Sequence, residues 1–308
     1  MTAGRPAAGA GTDGAAPQPA DGGADFARVG IVGCGLMGSG IAEVCAKAGL
    51  DVRVAVTGDA SARRGRERIA ASLDRALGKG RITEAERERV LGRITLTTAP
   101  EDLADRQLVI EAVREDEATK AELFTLLDKV VADPDAVLAS NTSSLSVMRL
   151  ARATNRPGKV LGTHFFSPVP VLPLVEITGS LLTEPAVTDR VTAFVTETLG
   201  KQVVHAPDRA GFVVNALLVP YIVSAVRMAE SGFAEPEVID RGMRAGCAHP
   251  MGPLELADMI GLDVVLSVAE ALHAEFREPH LAPPPLLRRM VEGNLLGRKT
   301  GRGFYPYG

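Results

Sequence analysis

A chain of 308 residues, 46% of them hydrophobic, is long enough for two domains with ample cores. Its 34 basic and 38 acidic residues leave a net charge of −4 with no basic block, which argues against a nucleic-acid partner. No apolar run approaches the roughly 18 residues of a membrane span, so a membrane partner is not expected. Three cysteines (Cys34, Cys45 and Cys247) form no CxxC pair and read as small buried hydrophobes in a reducing, cytoplasmic setting. Residues 1–27 are dominated by Ala, Gly, Pro and Asp and read as a disordered tail. They lack the apolar stretch of a signal peptide.

From Arg28 the pattern is strand, glycine turn, helix, strand. Residues 29–32 make a short buried strand, Gly33-Cys34-Gly35-Leu36-Met37-Gly38 a turn, 41–48 a helix ended by Gly49, and 52–56 the next strand. A Gly-x-Gly-x-x-Gly placed between strand and helix has mechanical sense. Gly33 permits the tight turn, Gly35 lets backbone approach a pyrophosphate, and Gly38 lets helix pack on strand, with Leu36 and Met37 opening the helix that faces the phosphates. A purely structural glycine turn is the alternative. At the end of the second strand, where an NAD site has Asp or Glu for the ribose hydroxyls, this chain has Val56, followed by Thr57, Gly58 and Asp59. Loss of that carboxylate removes repulsion against a 2′-phosphate, and Arg53, Arg63 and Arg64 are nearby cations. Both NAD and NADP stay open as cofactors, as does a merely solvated helix start for those arginines.

A charged stretch over 62–93, with a Gly-Lys-Gly break at 78–80, reads as a helical hairpin inserted in the first domain. Further strands are expected at 108–113, 136–139, 160–165 and 174–177, with a helix over 120–131. The succession predicts an α/β fold, a Rossmann-type parallel, doubly wound sheet over 28–208. After Pro207-Asp208 the apolar spacing turns helical, over 212–231, 235–245, 254–275 and 286–294, which predicts an all-helical C-terminal domain over 209–308. Between the two parts lies the most informative segment, SNTSSLSV at 140–147 and GTHFFSPVPVLPLVE at 162–176. His164 ends one apolar run and Glu176 closes another. A histidine backed by a carboxylate is a general base with a fixed tautomer.

The motifs VGIVGCGLMGSGIA, VIEAVRED, ASNTSS, GTHFFSPVP, LVEI, GFVVNALLVPY, HPMGPLELAD and GRKTGRGFY, in this order, give a chain that resembles the 3-hydroxyacyl-CoA dehydrogenases over about 28–307, bacterial 3-hydroxybutyryl-CoA dehydrogenases in particular. The resemblance implies a metal-free, NAD(P)-dependent oxidoreductase that interconverts (3S)-hydroxyacyl-CoA and 3-oxoacyl-CoA, in fatty-acid or related metabolism. It places catalysis on His164, Glu176, Ser143 and Asn215. His164 takes the hydroxyl proton, Glu176 orients the imidazole, and Ser143 and Asn215 hold the substrate oxygen. Cofactor contacts fall on Glu115, Lys120, Ser143, Ser167 and Lys299, and coenzyme A contacts on Ser72, Lys79 and Ser143. A homodimer joined by the helical domain is implied as well. Besides Val56, the chain departs from the family at Ser167, usually Asn, and at Ala216, often Arg. An acyl carrier protein shares the phosphopantetheine arm of coenzyme A, so a hydroxyacyl-carrier-protein dehydrogenase of secondary metabolism is an alternative. A non-catalytic, crystallin-like binding protein is another, which the retained set of four polar residues disfavours.

Overall fold

A computed structural model describes residues 26–308. Residues 1–25 of the expected tail lie outside the described residues. Phe26, which composition assigns to that tail, is fully buried and packs edge-on to Phe194, 5.5 Å between centroids. One aromatic ring buries enough surface to hold this segment against the core.

The nucleotide-fold half runs β1 (Arg28–Val32), α1 (Leu36–Lys47), β2 (Asp51–Ala55), α2 (Asp59–Gly78), α3 (Glu84–Gly92), β3 (Ile94–Thr97), β4 (Leu108–Glu111), α4 (Glu117–Val130), β5 (Val137–Ser140), α5 (Val147–Arg152), β6 (Val160–Phe165), β7 (Leu174–Gly179), α6 (Pro185–Ala193) and β8 (Gln202–Ala206). The helical half is α7 (Val214–Glu230), α8 (Pro236–Cys247), α9 (Pro253–Ile260), α10 (Leu262–Phe276) and α11 (Pro285–Glu292). All strands join one sheet in the order β3-β2-β1-β4-β5-β6-β7-β8. The expected hairpin over 62–93 is α2 and α3, whose turn carries Gly80 at φ +65°.

From β3 across to β6 the neighbours are parallel, as the βα alternation predicts. β7 departs from it. It runs antiparallel to β6, with His164 directly opposite Glu176, because the connection over 166–173 is too short for the crossover that a parallel neighbour needs. β8 then adds parallel to β7. Neither β3 nor β8 was expected; each is a short edge strand whose apolar signal is weak.

Two cores cover the sheet. Ile41 and Cys45 of α1, Ile69 and Leu73 of α2, and Val187 and Val191 of α6 pack on one face. Phe124 and Leu127 of α4 and Val147 and Leu150 of α5 pack on the other. A third core, around Ile222, Leu254, Leu262, Val265 and Leu287, belongs to the helical half. The single helix expected over 254–275 is two, α9 and α10, because Gly261 at φ +107° turns the chain between them. Cys34 and Cys45 are buried as expected, but Cys247 is exposed at the end of α8.

Carboxylates fasten the joints. Asp208, between β8 and the helical half, accepts hydrogen bonds from the backbone N–H groups of Val147 and Met148, both at 2.8 Å, and so caps α5. Asp258, with burial working to push its carboxyl above the usual range, takes the N–H groups of Phe304 and Tyr305 at 3.0 Å and ties down the C-terminal segment. Asp208→Ala removes a helix cap and is expected to lower stability by about 1–2 kcal/mol. Urea unfolding should show a lower midpoint at an unchanged slope.

Candidate active site

The glycine turn opens at the C-terminal end of β1. Gly33 adopts φ +93°, and its N–H donates to the Ala55 carbonyl at 2.8 Å. A Cβ at Gly38 would lie 2.0 Å from the Gly33 carbonyl oxygen, so only glycine lets α1 start here. A Cβ at Gly35 would meet nothing within 4 Å, and no side chain caps α1. Bare backbone at a helix N-terminus therefore faces a cleft of about 460 Å³, lined by Gly33, Gly35, Val56, Thr57, Ser61 and Arg64 among others. That arrangement fits a dinucleotide pyrophosphate. Leu36, which starts α1, is 66% exposed. Among the described residues no group of three or more His, Cys, Asp or Glu could hold a metal ion, and no helix is long and apolar enough to cross a membrane.

The His164–Glu176 pair is built by strand register. Because His164 and Glu176 face each other across β6 and β7, Nδ1 of the imidazole lies 2.8 Å from Oε2 of the carboxylate. Glu176 is completely buried and His164 nearly so. A carboxylate only accepts, so Nδ1 carries the proton and donates it. Nε2 is left with its lone pair. The second oxygen, Oε1, accepts from the backbone N–H groups of Val213 and Val214 at 3.0 and 2.9 Å. These are the residues that begin α7, so Asn215 sits in its first turn. Phe166 and Phe212 flank the imidazole at 4.4 and 5.8 Å between centroids.

Beneath the NTSS turn lies a second charged group. The Lys120 ammonium, fully buried, stands 3.0 Å from Glu111 Oε2 and 2.8 Å from Glu115 Oε2. Glu115 Oε1 in turn accepts from the Ser143 N–H at 2.8 Å, the Ser144 N–H at 3.2 Å and the Thr142 hydroxyl. Burial works to raise the Glu115 carboxyl, but the Lys120 charge and these hydrogen bonds outweigh it and hold the group below its usual range. Lys120 thus reaches the site through Glu115, which sets the turn that carries Ser143.

Ser167 is exposed on the turn just after β6. Other expected residues are not brought to the His164–Glu176 pair. Ser72 is half-buried in α2 and Lys79 exposed just past its end. Lys299 pairs with Asp263 in the helical half and does not line the cleft. Two residues that sequence reasoning missed contribute. Asn141 Oδ1 accepts from the N–H of Phe165, next to His164, at 2.9 Å in a buried position. Glu111 anchors Lys120 and also accepts from the Ser140 hydroxyl at 2.6 Å. An Asn or Glu at the end of an apolar strand was the available signal.

Residues 28–209 match the family 3-hydroxyacyl-CoA dehydrogenase, NAD binding domain, and residues 211–307 match 3-hydroxyacyl-CoA dehydrogenase, C-terminal domain. A 3-hydroxybutyryl-CoA dehydrogenase of Mycobacterium tuberculosis is 59% identical over 280 residues, covering 91% of this chain and 98% of the relative. Among solved structures, M. tuberculosis FadB2 superposes with a TM-score of 0.91 at 58% identity, covering 92% of this chain and 99% of the other. An (S)-3-hydroxybutyryl-CoA dehydrogenase from Ralstonia eutropha does so with a TM-score of 0.86 at 44% identity, with the same coverage of 92% and 99%.

Lys120→Met leaves the fully buried Glu111 and the partly exposed Glu115 without their cation and is expected to destabilise the fold by about 3–5 kcal/mol at neutral pH, most of it from Glu111. The parent should also lose stability as pH falls through the depressed Glu115 range, since unfolding there takes up a proton. In Lys120→Met the ammonium that helps hold Glu115 down is gone, so that acid loss should shrink in denaturant titrations run at a series of pH values.

Proposed function

The chain belongs to the 3-hydroxyacyl-CoA dehydrogenase family, and on that premise we propose that it interconverts (3S)-3-hydroxyacyl-CoA and 3-oxoacyl-CoA, with 3-hydroxybutyryl-CoA and acetoacetyl-CoA as its short-chain pair. The observation that carries the reading is the His164–Glu176 pair, at 2.8 Å, in a chain that also offers a bare glycine turn for a dinucleotide. The bound nicotinamide supplies a hydride acceptor and donor for C3. Residues 28–208 hold the dinucleotide, and residues 209–308 complete the site.

His164 Nε2, with its lone pair free, takes the 3-hydroxyl proton during oxidation and returns it to the carbonyl oxygen during reduction. Glu176 keeps the proton on Nδ1 and offsets the charge the ring gains. Ser143 and Asn215 hold the substrate oxygen by hydrogen bonds as charge builds on it. Glu115 fixes the backbone on which Ser143 rides. Asn141 plays the same part for β6 by holding the Phe165 N–H.

The helical half also joins two chains. Leu217 at 74% and Phe233 at 78% exposure leave large apolar side chains uncovered. Leu217 and Met259 line an apolar groove of about 610 Å³ along α7, of the kind a second copy covers.

Acetoacetyl-CoA should oxidise reduced cofactor, followed by its absorbance. His164→Ala should lower kcat by about 10²–10⁴-fold without unfolding the chain. No turnover by the parent with either NADH or NADPH would defeat the dehydrogenase reading. Light scattering should give a dimer that Leu217→Arg dissociates; a stable monomer would contradict the association.

A further inference from the structure

Building on the dehydrogenase reading, we propose that this chain prefers NADP(H), and that Thr57, Ser61 and Arg64 hold the 2′-phosphate of its adenosine ribose. The position just after β2 decides what that ribose meets. A carboxylate there would accept hydrogen bonds from both ribose hydroxyls and repel a phosphate. Val56 does neither. It is buried, lines the cleft and spends its N–H on the Thr97 carbonyl at 2.9 Å.

What replaces the carboxylate is a polar chain on the same cleft wall. The hydroxyls of Thr57 and Ser61 lie 3.3 Å apart, and the Arg64 guanidinium reaches the Ser61 hydroxyl at 3.3 Å. All three line the cleft together with Gly33 and Gly35. Two hydroxyls and a planar fork of N–H donors suit the oxygens of a phosphate monoester. The uncapped start of α2, a helix of 20 residues, adds the positive end of its dipole.

Arg64 is the cation left for this task. Arg53 donates to the Asp102 carbonyl at 2.6 Å and lies 3.8 Å from Asp105. Arg68 lines the cleft but donates to the Cys34 carbonyl at 2.8 Å, bracing the glycine turn. Arg63 does not line the cleft. Among the described residues no carboxylate pairs with Arg64, which is exposed. Asp59, the nearest acid in sequence to Val56, is exposed at the start of α2 and outside the cleft lining.

Packing explains why Arg64 is on this wall. α2 crosses the glycine turn at Gly65, where a Cβ would stand 2.5 Å from the Cys34 sulfur. That close approach turns the face carrying Ser61, Arg64 and Arg68, spaced i, i+3 and i+7, towards the dinucleotide cleft.

Direct binding to the full-length chain tests the proposal, using nicotinamide fluorescence for NADPH and NADH and calorimetry for 2′,5′-ADP, which carries the phosphate without a nicotinamide. NADPH should bind at least about tenfold more tightly than NADH, as expected for charge-assisted hydrogen bonds to one phosphate. Arg64→Ala should weaken NADPH and 2′,5′-ADP at least about tenfold more than NADH. Val56→Glu should turn the preference toward NADH. NADH binding as tightly as NADPH, or an affinity ratio unmoved by Arg64→Ala, would overturn the proposal. Acetoacetyl-CoA reduction with NADH would then still stand as support for the dehydrogenase reading. Conversely, Arg64-dependent binding of 2′,5′-ADP without thioester reduction would uphold the phosphate site and defeat that reading.

Discussion

The Glu176 carboxylate is the constraint on which the rest of the site depends. Burying an ionised carboxylate is strongly unfavourable unless its oxygens are fully paired. Here three donors meet it, one from His164 and two from the backbone at the start of α7. One oxygen therefore fixes a tautomer, and the other fixes where the helical half meets the sheet. The start of a helix is also its positive end, which favours an anion there. Neither job is separable from the other. If α7 moved away, Glu176 would lose its neutralising donors and His164 its orientation.

The same device recurs through the molecule. Glu115 holds the backbone of the NTSS turn, and Asp208 holds the start of α5. Asp240 does likewise for α9, accepting from the N–H groups of Leu254 and Glu255 at 2.9 and 2.8 Å, and Tyr305 donates its hydroxyl to the same carboxyl. Asp258 fastens the C-terminal segment. In each case a carboxylate satisfies backbone donors that would otherwise be orphaned at a helix start or turn. The geometry at Glu176 is thus an instance of a general way in which this fold secures its joints, with a histidine added.

Much of the site was legible because strand periodicity and short motifs carry it. His164 and Glu176 each close an apolar run only a dozen residues apart, which suggests that the carboxylate could reach the imidazole, whereas their facing positions come from the antiparallel register of β6 and β7. The glycine turn was legible because its context, strand before and helix after, is local. What was not legible depends on distant packing. The antiparallel turn into β7 follows from a short connection that βα alternation disguised. The break at Gly261 needs a positive φ that spacing does not reveal. Lys120 looks like a surface helix lysine until Glu111, a residue of a different strand, proves to be its partner. Arg53, Arg63 and Arg64 were indistinguishable as neighbouring cations. Only the seat of α2 on Cys34, permitted by Gly65, separates the one on the cleft from the others.

Glu176→Gln tests most directly whether one carboxylate serves both halves, because an amide has a single acceptor oxygen for two sets of donors. The measurement is the single-turnover rate of hydride transfer, taken together with amide exchange at Val213 and Val214. If the oxygen stays with the helix, the amide nitrogen faces His164 and forces the wrong tautomer; if it turns to His164, the two helix amides are released. We expect a folded protein in which hydride transfer slows by about 10³-fold or more, as for a wrongly held catalytic imidazole, or in which both amides lose protection. Turnover within a few-fold of the parent, with Val213 and Val214 as protected as before, would contradict it.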